Sequence, residues 1–267
     1  MDVELSHIKL FYKDYMHFAT RSRIMLEMSA VDAAILAFIA YKVSQIDKVK
    51  TLWTGGTAFS ATLAGFSYFI ISWTVTFMGS FAISSDFTTN TAKYILSLPV
   101  KRSSIFIGRY LAATTLAALA TVSFFTFIAG ESYYYFGNVP ITLFRAYFVS
   151  LLVIFSAMSI VFLLSSIIKL DRFVLVGSFF LFFLAMPVID GIFQINSLNV
   201  NSLFYVDANV VSKTIGYTPY FSYADFIQIV PQNYNLLNFN QAIISMILYS
   251  VLLLIIGVYI YRRKQVS

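Results

Sequence analysis

Residues 146–168, "AYFVSLLVIFSAMSIVFLLSSII", run from Ala146 to Ile168 without a single charge. A helix crosses the hydrocarbon core of a bilayer with about 20 apolar residues, within a range of roughly 17–25. This stretch is such a segment, and it is not alone. Thr51–Ser85, Tyr110–Gly130, Phe173–Ile189 and Phe226–Tyr261 are equally free of charge. Ordinary soluble domains are about a quarter charged, whereas this chain is 59% hydrophobic and only 11% charged. So few charges cannot cover a water-facing surface. The chain therefore reads as an all-helical integral membrane protein.

Six spans are expected, at about 24–41, 55–83, 105–130, 146–168, 173–189 and 241–261. The first carries two carboxylates, Glu27 and Asp32. Glu27 lies near the inner end, one helical turn from Arg23. Asp32 lies deeper, where a carboxylate costs about 2.5–3.5 kcal/mol on insertion scales and usually faces protein or water. It is either a polar contact of the bundle, protonated or hydrogen-bonded to a neighbouring Ser or Thr, or a proton-binding site. The first 23 residues lack the apolar core and cleavage site of a secretory signal, so the first span is expected to stay in the mature protein.

Basic residues flanking the spans set the orientation. If both termini share one side, that side carries Lys9, Lys13, Arg21, Arg23, Lys93, Lys101, Arg102, Arg109, Lys169, Arg172, Arg262, Arg263 and Lys264. The other side carries Lys42, Lys48, Lys50, Arg145 and Lys213. Thirteen against five places both termini in the cytoplasm of a multi-pass protein of the cell membrane. The net charge of +6 is thus a topology signal, and nucleic acid is not an expected partner. There are no cysteines, so the outer segments must hold together without disulfides.

Residues 1–23 read as an interfacial, elbow-like helix. Leu5, Ile8, Phe11, Tyr12, Tyr15, Phe18 and Ala19 recur at three- and four-residue steps, while Lys9, Lys13, His17 and Arg21 mark another face. Outer loops are expected at Lys42–Thr54, Glu131–Arg145 and, the longest, 190–240. In the last, Ser222 and Asp225 make a box-like helix cap that ends at Pro231, and its aromatic residues suit the headgroup level. One membrane domain, 1–267, accounts for the chain.

Catalysis within the membrane has no residues to work with. Both histidines, His7 and His17, lie in the N-terminal segment, and a zinc site needs three or four converging ligands. No cofactor is expected. The phosphate-binding loop G-x-x-x-x-G-K-[ST] is absent, so any ATP driving this protein is bound by another polypeptide, and the chain itself is not an enzyme.

One inner segment stands out, "SSDFTTNTAKYILSLPVKRSSIFIGRY" from Ser84 to Tyr110, with its cytoplasmic loop at 84–104. Thr89, Asn90 or Thr91 can cap a short helix through Ala92–Leu96. Pro99 disfavours helical geometry at Leu98 and ends it, and Ser103 or Ser104 can cap the next span. Such a helix has the form of a docking element; the plainer alternative is a tight turn with solvated basic residues.

The segment resembles the inner loop of the ABC-2 family of ATP-binding-cassette membrane subunits. There the loop runs acidic residue, Gly-Thr, a Leu-rich turn, Pro with an aliphatic residue, a basic residue, then Gly-Lys or Gly-Arg opening the third span. Here the corresponding residues are Asp86, Asn90-Thr91, Ile95-Leu96, Pro99-Val100, Arg102 and Gly108-Arg109. Asp86 and Asn90 replace the family's usual Glu and Gly; Asn is enriched among non-glycine residues at positive φ. The layout is similar too, with an N-terminal interfacial helix, six spans and a long last outer loop.

The resemblance implies a permease half-transporter that pairs with a second copy or a homologue and with two cytoplasmic ABC ATPase subunits. It implies that the short helix is a coupling helix, with Asp86, Asn90, Thr91, Tyr94, Ile95, Leu98, Pro99, Lys101 and Arg102 as the ATPase contact. Such permeases mostly export. Membrane lipid surrounds the spans on any reading. Two other classes stay open at this point: a proton-coupled secondary carrier using Asp32, and a structural membrane protein with no coupling helix.

Overall fold

A backbone in hydrocarbon finds no water to bond its N–H and C=O groups, so each apolar run must satisfy them within itself, as a helix does. The computed structural model describes residues 2–21, 23–45, 55–88, 91–195, 211, 214–215 and 239–263, and every regular element among them is helical. The helices are α1 (Asp2–Arg21), α2 (Arg23–Ser44), α3 (Gly56–Ala64), α4 (Ser67–Thr88), α5 (Ala92–Ser97), α6 (Arg102–Phe136), α7 (Thr142–Ile167), α8 (Asp171–Phe180), α9 (Met186–Ile195) and α10 (Phe239–Arg263). A π-helical turn, Leu181–Ala185, joins α8 to α9.

Five segments are long and apolar enough to cross a membrane: Gly56–Thr88, Arg102–Phe136, Thr142–Ile167, Asp171–Ile189 and Phe239–Arg263. The first joins α3 and α4 across a tightened turn, where Phe66 N–H donates to Leu63 O at 3.0 Å and Ile70 N–H to Phe66 O at 3.2 Å. The 22 residues of α2 span about 33 Å at 1.5 Å per residue, comparable with the hydrocarbon core.

Some expected boundaries differ. The loop expected at Glu131–Arg145 is only a short turn, because α6 continues to Phe136 and α7 begins at Thr142. At the start of α6, Lys101 takes the N-cap position in extended geometry with no side-chain cap. Neither Ser103 nor Ser104 has that role, because the chain bends at Leu98–Val100 and extended Lys101 starts the helix at Arg102. The cap at Ser222–Asp225, its aromatic neighbours and Asn90 lie outside the described residues, as do the side chains of Arg23, Glu27 and Asp190.

At the centre is α4, which packs against α6, α7 and α8, while α10 lies along α7 and α1 lies across α6. Lipid tails are as apolar as leucine, so membrane helices associate through close packing and small residues. Gly79 shows this: a Cβ there would meet Val161 Cγ1 at 2.7 Å and Met158 Sδ at 3.0 Å. Buried hydroxyls turn back to the carbonyl one turn earlier, as Thr74 does to Ile70 O at 2.7 Å and Thr121 to Ala117 O at 2.8 Å. That habit lets a polar side chain sit in a dry interface. Between helices, the Tyr110 hydroxyl lies 2.8 Å from Phe155 O and 3.1 Å from Ser159 Oγ, which itself reaches Ser250 O at 3.1 Å. This run of polar contacts links α6, α7 and α10.

The π-helical turn has a local cause and a distant partner. Pro187 has no N–H to give the helix, and Met186 N–H reaches Leu181 O, five residues back. The buried Tyr68 hydroxyl, from α4, donates to Phe182 O within the turn at 2.7 Å.

Candidate functional site

The segment between α4 and α6 is built by its one proline. Helix α5 runs Ala92–Ser97, and Leu98 leaves it in extended geometry, φ −64° and ψ 145°, as a residue before proline prefers. Thr91 stands at the N-cap position without a side-chain cap bond. Its hydroxyl lies instead 3.4 Å from Asp86 O and 3.5 Å from Asp86 Oδ1.

Two faces result. Tyr94 is 77% exposed and Leu98 48% exposed, and Lys93, Pro99 and Lys101 are also exposed. Ile95 and Val100 turn the other way and pack against the core. Of the apolar contact residues Tyr94, Ile95 and Leu98, only Tyr94 and Leu98 therefore point outward.

Asp86 is buried rather than presented to solvent. It accepts an ion-paired hydrogen bond from Arg109 Nη1, which also donates to Ala82 O at 2.9 Å. Arg109 is only 4% exposed, and its Nη2 lies 3.8 Å from Asp14 of α1, whose side chain is 62% exposed. One guanidinium thus connects α1, the end of α4 and α6. The sequence marks this arginine only as the start of a span; the available signal was its place two turns inside an apolar helix, where a cation needs a partner.

Helix α1 adds further ties. Gly108 allows its backbone to close on α6, since a Cβ there would meet Ile8 O at 2.7 Å and Phe11 Cβ at 2.9 Å. Tyr15 is buried and donates its hydroxyl to Met78 O; burial pushes that hydroxyl's pKa above its ordinary value, so it stays a donor. Phe11, Tyr15 and Ala19 face the bundle while Leu5, Leu10 and Phe18 remain exposed. Lys101 pairs with Glu4, and the hydrogen bond and charge of Lys101 hold the Glu4 carboxyl below its ordinary value. Arg102 Nη1 donates to Arg262 O at 3.1 Å, placing a cation on the carbonyl end of α10, where the helix dipole favours it.

Asp32 is remote from this cluster along the chain. It is 7% exposed, and its Oδ1 has no hydrogen-bond partner among the described residues. No group of three or more His, Cys, Asp or Glu suited to a metal occurs among the described residues.

Long apolar helices packed through small residues define a multi-pass helical membrane protein. The profile of the family described as "ABC-2 family transporter protein" matches residues 13–259. The chain belongs to that family, and it is a membrane permease component of ABC-type transport. No curated protein matches it individually.

Proposed function

We propose that this chain is the transmembrane permease subunit of an ABC-2-type exporter, driven by ATP hydrolysis on separate cytoplasmic ATPase subunits. The observation that carries the reading is the outward face of α5, where Tyr94 and Leu98 are exposed on a short helix whose other side packs against the core. An aromatic and an aliphatic anchor rimmed by Lys93 and Lys101 is the chemistry of a protein contact. Asp86, Thr91, Ile95 and Arg102 hold the segment from behind, and Tyr94, Leu98, Pro99 and Lys101 meet the ATPase. The loop 84–104 is then the coupling loop, α2 is the first of six spans, and 190–240 is the long outer loop of a single membrane domain. The thirteen-to-five distribution of basic residues supports cytoplasmic termini. A second permease copy or a homologue, with two ATPase subunits, completes the transporter.

The carrier alternative has one observation, the buried Asp32 carboxylate, and family membership gives it no support. Flux measured with ATP depleted and the proton gradient intact separates the two. The exporter reading expects flux to stop and Asp32→Asn to transport nearly normally when ATP is restored. Gradient-driven flux that persists without ATP and disappears in Asp32→Asn would replace it with the carrier.

A further inference from the structure

Helix α1 meets the bundle with one face only. Phe11, Tyr15 and Ala19 are buried in it, and Gly108 of α6 lets the backbone come close at Ile8 and Tyr12. The aromatic side chains that an interfacial helix sinks into lipid are here packed against protein. Lys9, Lys13, His17 and Arg21 are all exposed. They recur every four residues, so they form one row on the opposite side of the helix. The exposed Leu10 stands among them, with Leu5 and Phe18 at the margins. Glu4 and Asp14 do not offset this row, because Glu4 pairs with Lys101 and Asp14 approaches Arg109. Among the described residues no carboxylate pairs with Lys9, Lys13 or Arg21.

The contacts of α1 set its height. They fall on Lys101, Gly108 and Arg109, at the start of α6. That helix has 35 residues, about 52 Å at 1.5 Å per residue, so its ends outrun a hydrocarbon core of about 30 Å. Helix α1 then stops at Arg21, and the apolar α2 begins at Arg23. The basic row therefore flanks the bundle where hydrocarbon gives way to headgroups. Long basic side chains there lay their stems on apolar surface and keep the charge in the polar layer. A protein partner would have to match both the cations and the apolar margins of the row. The boundary of an anionic leaflet offers both at once.

We propose that the outward face of α1 binds the anionic phospholipid headgroups around this end of the bundle, with lipid phosphates on Lys9, Lys13 and Arg21. Basic residues close to a membrane surface are attracted to anionic lipid, and phosphate oxygens accept charge-assisted hydrogen bonds from ammonium and guanidinium groups. Neither α5 nor the ATPase enters this argument, so its test is independent of the proposed coupling contact.

The permease purified in neutral detergent is to be titrated with phosphatidylglycerol and with phosphatidylcholine of the same acyl chains. Native mass spectrometry counts the lipid retained, and an environment-sensitive fluorophore on Thr20→Cys, exposed near the row, reports binding at α1. Phosphatidylglycerol is expected to bind more tightly and to shift the fluorophore. Both effects should fade at high salt, where exposed charges are screened. Lys9→Gln, Lys13→Gln and Arg21→Gln should each weaken phosphatidylglycerol about fivefold, and the triple variant should bind both lipids alike. Arg145→Gln, an exposed cation at the other end of the bundle, should keep the preference. Equal responses to the two lipids, a preference surviving in the triple variant, or an equal loss in Arg145→Gln would overturn the proposal. A triple variant that keeps the lipid preference but loses ATPase affinity would assign the row to the ATPase instead.

Discussion

Arg109 concentrates the electrostatics of the inner end. Its guanidinium is buried against Asp86 and Ala82 O, and Asp14 approaches from α1. Removing one partner of such a pair strands a buried charge, typically at a cost of about 3–5 kcal/mol. Arg109→Met is therefore expected to lose about that much stability in a denaturing-detergent titration, and Asp86→Leu a comparable amount. The double variant Arg109→Met/Asp86→Leu should recover most of it, because an apolar pair leaves no unmatched charge. Equal losses in single and double variants would show that the pair is not what holds this end. Glu4 and Lys101 behave differently, being exposed. The folded-state pKa of Glu4 lies below its ordinary value of 4.5, so its contribution is present above that value and is lost as pH falls through the folded pKa. The stability difference between the parent chain and Lys101→Met should be small at neutral pH and should fade as pH drops below 4.5 and through the folded pKa of Glu4. Of these pairs the sequence shows nothing directly. Asp86 and Arg109 are 23 positions apart on opposite sides of a loop, and only the packing of α4 on α6 brings them together.

Among the elements, the apolar helices were the most legible, because hydrocarbon permits few backbone solutions and the charge-free runs have the necessary length. The stop at Leu98 was equally legible, since a residue before proline is sterically restricted. Helix starts were not. Thr91, Ser103 and Ser104 are good capping residues by type, yet the observed turns use Asp86 and an extended Lys101 instead. The split of Tyr94 and Leu98 from Ile95 was also hidden, because a six-residue helix is too short for periodicity to fix its inward face. The π-helical turn is the element whose stability can be tested through a distant residue. Tyr68→Phe removes the buried hydrogen bond to Phe182 O, and such a bond contributes about 0.5–1.5 kcal/mol. The variant should unfold that much more easily, and amide exchange should increase around Leu181–Met186. Unchanged exchange there would show that the turn needs no help from α4.

For the whole molecule, orientation is the first property to establish, and the lack of native cysteine makes it accessible. Single cysteines replacing Ser97 on α5 and Asn138 in the α6–α7 turn, both exposed, are to be treated in intact cells with an impermeant thiol reagent. Asn138→Cys is expected to react, and Ser97→Cys only after the membrane is opened; the reverse pattern would invert the topology. The central claim is that the outward face of α5 holds a separate ATPase, and the most direct measurement is the affinity of that ATPase for permease variants of intact fold. An interface anchor cut to alanine typically costs about 2 kcal/mol or more, equivalent to about thirtyfold in binding. Tyr94→Ala and Leu98→Ala should each weaken the ATPase by about that factor and abolish substrate-stimulated ATP turnover in membranes. If both variants bind the ATPase as tightly as the parent chain and transport at its rate, α5 is only a turn between two spans and the coupling role is contradicted.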